Sequence, residues 1–103
     1  MLWMYLTTVA DDEAARQLAG DLIANRLAAC VQIDGPLRSV YRWNGDVHGE
    51  TEFRLVIKTN EEHRQQLVAY LESNHPYEEP QIVGTPLNES SDGYAAWVAG
   101  CFE

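Results

Sequence analysis

Cys30 and His75 are the two side chains in this sequence best suited to a soft metal ion. Thiolate and imidazole are ligands for copper or zinc. A closed site needs three or four ligands, and no H-x-x-x-H or comparable spacing surrounds either residue. The plainer reading of Cys30 is a small buried residue in a strand. His75 opens the segment His75-Pro76-Tyr77-Glu78-Glu79, a loop between a helix end and a strand, where binding residues concentrate. His75 and Glu78 could coordinate a cation, and Tyr77 could line a cleft between subunits. The same segment also reads as local structure. A histidine suits a helix C-terminus, Pro76 stops the helix, and Tyr77 packs.

Glu52, Arg54 and Lys58 recur at period two and share one strand face. Such a face could hold an anionic ligand between subunits, or it could be a ladder of ion pairs across an interface. Trp3, Trp43 and Trp97 read as packing anchors. The runs Asp11-Asp12-Glu13 and Glu61-Glu62 read as first-turn helix charges. His48 and His63 read as surface residues. Enzyme signatures are missing: there is no Gly-rich phosphate loop, G-x-S-x-G or H-E-x-x-H. Cys30 sits mid-strand, away from the helix N-terminus that would activate a thiolate. The expectation is a binding protein and not an enzyme.

The elements that must position these residues centre on Ala28 to Thr59. Asn44-Gly45 is a strong hairpin signal, flanked by Ser39–Trp43 and by the alternating, β-rich run Glu52–Lys58. The first arm, Ala28 to Trp43, would reach roughly 50 Å at about 3.3 Å per residue. A compact chain of this length has a radius of gyration of about 13 Å. The hairpin should therefore overhang its domain, with a bend at Gly35-Pro36. Leu37, Val40, Tyr41 and Trp43 would make it a sticky edge in water. It is expected to lie on another copy of the chain.

Leu2 to Val9 reads as a buried strand, with Leu2, Met4 and Leu6 toward the helices and Trp3, Tyr5 and Thr7 away. Asp11 caps a helix running to about Arg26, with Ala15, Leu18, Ala19, Leu22 and Ile23 as its apolar stripe. Thr59-Asn60-Glu61-Glu62 reads as a capping box for a second helix, with Leu67, Val68 and Leu71 inward. His75-Pro76 closes that helix. Gln81–Leu87 reads as a short strand. Ser90-Ser91-Asp92 caps a C-terminal helix whose Tyr94, Trp97, Val98 and Cys101 share a face. The order β-α-β-β-α-β plus a terminal helix is the split βαβ, ferredoxin-like sandwich, an α+β fold. Val31, Ile33, Phe53, Leu55 and Ile57 complete the helix-covered sheet face. Cys30, Gln32, Glu52, Arg54, Val56 and Lys58 fall on the other, a mixture that suits a polar subunit interface.

With 103 residues, the chain is one domain spanning 1–103. Its net charge of −9 repels phosphates and argues against nucleic acid. Two cysteines outside any C-x-x-C pair read as free thiols in a reducing cytoplasm. The N-terminus lacks a signal-peptide pattern. No run approaches 18 apolar residues, so no membrane partner is expected.

Several segments resemble the divalent-cation tolerance (CutA) family in order and spacing. They are Arg26-Leu-Ala-Ala-Cys30-Val31, Ser39-Val-Tyr41-Arg-Trp43-Asn-Gly45, Glu52 with Lys58-Thr59, His75-Pro76-Tyr77-Glu78 with Pro80, and Tyr94 with Trp97. Each is weak alone; together they span nearly the whole chain. The resemblance implies a ferredoxin-like fold, a tight homotrimer built partly through the hairpin, and a role in tolerance of copper and other divalent metals. On that basis the metal candidates are His75, Cys30 and Glu78. The interface and cleft candidates are Tyr41, Trp43, Glu52, Lys58, Tyr77 and Trp97. The family's metal proposals also use a Cys at the end of the first strand and a His just before His75; here these positions are Thr7 and Asn74. Gln32 and Gln81 replace the family's usual Asn and Glu. The alternative is a signalling trimer similar in architecture to the PII proteins, sensing a small ligand between subunits.

Overall fold

The computed structural model describes residues 1–103. The elements run β1 (Leu2–Val9), α1 (Asp12–Ala24), β2 (Cys30–Trp43), β3 (Asp46–Asn60), α2 (Arg64–Asn74), β4 (Val83–Leu87) and α3 (Asp92–Gly100). One antiparallel sheet has the order β2-β3-β1-β4. This is the ferredoxin-like α+β arrangement expected from the sequence. β4 starts two residues later than the sequence suggests.

The hairpin holds as expected. Asn44 and Gly45 both have positive φ, 51° and 82°, the backbone of the tight turn that Asn-Gly favours. The β2–β3 ladder shifts register between Asp34 and Leu37, so Gly35-Pro36 drops out of the pairing as a proline requires. The molecule measures 45 × 26 × 22 Å, with a radius of gyration of 14.4 Å. Its long axis and larger radius accord with an overhanging hairpin.

α1 is set at both ends by local chemistry. Asp11 accepts from the Ala14 amide at 2.7 Å. At the other end Arg26 takes a left-handed conformation, φ 55°. The Leu27 and Arg26 amides return to the Leu22 and Ile23 carbonyls, the double closure of a Schellman motif. Leu27 is thereby folded back into the core, where Leu18, Leu22, Leu55, Ile57, Leu67 and Leu71 surround it.

Three sequence expectations are corrected. First, β1 is turned over. Tyr5 pairs with Ile57, Thr7 with Leu55 and Val9 with Phe53, so Trp3, Tyr5, Thr7 and Val9 face the helices. Met4 and Leu6 share the opposite, open face with Lys58 and Val56. A strand apolar on both sides carries no alternation of its own, and the register against β3 decides its faces. Second, Thr59 does not cap α2. It lies in β3, fully buried, and its hydroxyl donates to the Leu27 carbonyl at 2.8 Å. Asn60 Oδ1 instead accepts the His63 amide at 2.9 Å, and α2 starts at Arg64. His63, expected on the surface, is part-buried and stacks on Phe102 at 4.3 Å. Third, only Val98 of the expected α3 face is buried. Tyr94 and Trp97 stack on each other at 5.7 Å and remain exposed. Trp97 and Trp43 therefore do not enter the core of their own chain, whereas Trp3 packs under the Arg64 guanidinium at 4.0 Å.

Candidate functional site

The site grows from the end of α2. Its last turn closes with the His75 amide on the Leu71 carbonyl, and His75 turns extended, φ −70°, ψ 139°, because the residue before a proline avoids the helical region. That turn sends the ring toward β1. The Tyr77 amide donates to His75 Nδ1 at 3.0 Å. Nδ1 must then carry the lone pair, which leaves the proton on Nε2. Nε2 donates to the Thr7 hydroxyl at 2.9 Å. Burial pushes the His75 pKa down, against the opposing influence of the Thr8 backbone and Glu52. The imidazole is held neutral and in one tautomer.

From His75 the chain of contacts continues to the hairpin. The Tyr77 hydroxyl donates to Glu52 Oε2 at 2.9 Å. Burial, then the bond to Glu52, raises the Tyr77 pKa strongly. Tyr41 and Glu50 stand next to this pair on the hairpin, and the neighbouring Glu50 carboxylate raises the Tyr41 pKa. Thr7, His75, Tyr77, Glu52, Glu50 and Tyr41 thus form one polar wall at the point where the hairpin leaves the body. Of the residues singled out in the sequence, Tyr41, Glu52, Tyr77 and His75 are brought together here.

Other candidates lie elsewhere. Cys30 pairs across the sheet with Lys58 on the open face, half-buried beside Tyr94. His75 meets Thr7 on the opposite, helix-covered face. Glu78 lines a surface hollow of about 420 Å³ with Glu72, Glu79, Val68 and Ile82. Within one chain, no three His, Cys, Asp or Glu side chains are placed to hold a metal ion. Both nitrogens of His75 already have partners. A divalent cation therefore finds no closed donor set inside one copy. Lys58 sits at the far end of the open face, its Nζ donating to Gln32 Oε1 at 2.8 Å. Trp43 and Trp97 lie exposed on the hairpin tip and on α3. The partnership of Thr7 with His75 was missed. Its sequence signal was the Thr7-Thr8 pair at the end of a strand that is apolar from Leu2 to Leu6.

The family profile described as CutA1 divalent ion tolerance protein matches residues 3–101. The chain belongs to that family. A divalent-cation tolerance protein CutA of Pectobacterium atrosepticum is 36% identical over 93 residues, 90% of this chain and 84% of the relative. The solved structure of CutA from Synechococcus elongatus matches with a TM-score of 0.95 at 37% identity, covering 99% of this chain and 90% of that one. The divalent cation tolerance protein of Thermus thermophilus gives 0.90 at 39% identity, covering 95% of each. Family membership ties the chain to divalent-metal tolerance, and the shared fold includes the long hairpin.

Proposed function

We propose that the protein is a homotrimeric, non-catalytic component of divalent-metal tolerance in the cytoplasm, binding copper or another divalent cation where subunits meet. The observation that carries this reading is the outer hairpin. Residues 46–51 of β3 are all exposed, and Val40, Trp43 and Val47 present apolar surface with no cover from their own chain. A long apolar ribbon of this kind is an aggregation liability unless another chain covers it. The polar wall of His75, Tyr77, Glu52 and Tyr41 lies at the root of the ribbon, where a neighbouring copy would arrive. Since one chain offers no closed donor set, the remaining ligands for a cation come from that neighbour. Two unpaired thiols support a reducing compartment.

Light scattering tests the assembly. The expected mass is three times the 11.6 kDa chain, and a stable folded single chain at micromolar concentration sinks the reading. Calorimetric titration of the metal-free protein with copper, then zinc, tests the cation. Heat near one ion per chain is expected; a folded trimer with no heat removes direct binding.

A further inference from the structure

Glu52 and Lys58 share the open-face alternation of β3, but Glu52 lies one residue beyond the Val9–Phe53 pair that ends β1, where Tyr77 reaches it from the His75 loop. Neither Glu52 nor Lys58 has a partner of opposite charge. Glu52 is nine-tenths buried. Its Oε2 accepts the Tyr77 hydroxyl, and no cation reaches either oxygen. Lys58 is the only lysine in a chain with 16 acidic residues. Its ammonium meets an amide oxygen, Gln32 Oε1, and no carboxylate. The other cation on this face, Arg54, is taken by Asp34 at 3.0 Å. Arg38 and Arg42 pair with Thr51 and Val47, which places them on the reverse side of the hairpin. Lys58 is therefore the one uncommitted cation of the face, and Glu52 its most buried carboxylate.

A carboxylate this buried is costly unless it meets a counter-charge. The two residues cannot supply each other within one chain. Six residues of strand separate them by about 20 Å at roughly 3.3 Å per residue, well beyond the reach of a lysine side chain. We infer that Lys58 of one copy pairs with Glu52 of the next, completing the Tyr77–Glu52 wall from outside the chain. This rests on the trimeric reading above. In a closed three-fold ring each copy gives Lys58 to one neighbour and receives another at Glu52, so neither charge is left over. The wall is then incomplete in a single copy, and its electrostatics are set by assembly.

Native mass spectrometry of mixed light- and heavy-isotope pools at micromolar concentration reads subunit exchange. Glu52→Gln and Lys58→Gln should each speed exchange at least tenfold. The double variant should exchange no faster than the faster single, because the second substitution removes a charge whose partner is already gone. Lys58→Arg, which keeps the charge, should stay within about threefold of the wild type. Single effects that multiply in the double variant, or one single variant without effect, overturn the pairing while leaving the trimer intact. A wild-type chain that is monomeric overturns the assembly reading itself.

Discussion

β3 is a single strand of two unlike halves. From Glu52 to Asn60 its burial alternates, with Leu55, Ile57 and Thr59 fully enclosed beneath the helices. From Asp46 to Thr51 every residue is exposed. Both halves are held by the same ladder to β2, so backbone hydrogen bonding does not distinguish them. What differs is cover: the inner half has β1 on its other edge and helices above it, whereas the outer half has only its hairpin partner. A lone two-stranded ribbon is marginal in water. The inner half builds the domain, and the outer half is stable only when something else lies on it.

The largest expected effect tests this division directly. Leu55→Ala removes a fully buried side chain and should cost about 2–5 kcal/mol of unfolding free energy, read from urea titration. Val47→Ala, eight residues back on the same strand, is exposed and should leave unfolding of the isolated chain within about 0.5 kcal/mol. It should act on subunit exchange instead. Equal losses in urea would mean that the outer half already folds against its own domain.

Next in size is Gly84→Ala. Gly84 pairs with Tyr5 across β4 and β1, and a Cβ there would run into the edge of the Tyr5 ring at Cε1. The tyrosine ring lies over the glycine and cannot withdraw, because its hydroxyl is bonded to Arg64 and its body fills the core. Overpacking of this kind should cost about 1–3 kcal/mol. It should fall wholly on the inner region, lowering the unfolding midpoint without changing exchange between subunits at neutral pH. An alanine variant as stable as the parent would show that the ring has freedom to move.

How much of this was legible in the sequence follows from which signals are local. The Asn44-Gly45 turn, the Asp11 cap and the proline stop after His75 are each set by one or two residues, and each stands where expected. The faces of β1 are set by pairing with a strand some fifty residues away. Leu2 to Leu6 is apolar at every position, so nothing local told Tyr5 from Met4. Thr59 failed for a related reason. A threonine three residues before Glu62 suits a capping box, but the β3 ladder runs through it and buries it. In the candidate site, Tyr41, Glu52, Tyr77 and His75 were readable as residue types, whereas Glu50 joins them only through the pairing of the hairpin. The engagement of both His75 nitrogens was not readable, because Thr7 and the Tyr77 amide meet the ring only through tertiary placement.

A smaller effect is expected at the tip. Gly45 holds φ 82°, and Gly45→Ala should cost about 1 kcal/mol, since a left-handed residue with a Cβ carries roughly that strain. The loss belongs to the ribbon. Hydrogen exchange should quicken in residues 40–50 and stay unchanged at Leu55 and Ile57. Exchange that quickens throughout β3 would join the two halves into one cooperative unit.

The smallest effect concerns the boundary between the halves, where His75 ties the loop to β1. Burial lowers its pKa below the ordinary value, so the fold favours the neutral ring. The unfolded chain takes up a proton first as pH falls, and folding opposes that uptake. The stability tied to neutral His75 is therefore complete above about pH 6.5, the unfolded value, and is lost as pH drops through it toward the lower folded value. Protonation also places a hydrogen on Nδ1, where the Tyr77 amide now donates, so the loss should start in the loop. Urea titrations at several pH values from 7.5 to 5 should show wild-type stability falling more steeply than that of His75→Gln. Exchange at the Tyr77 amide should quicken before that of Leu55. Parallel slopes in the two proteins would mean that the ring releases Thr7 and reaches solvent without disturbing the wall.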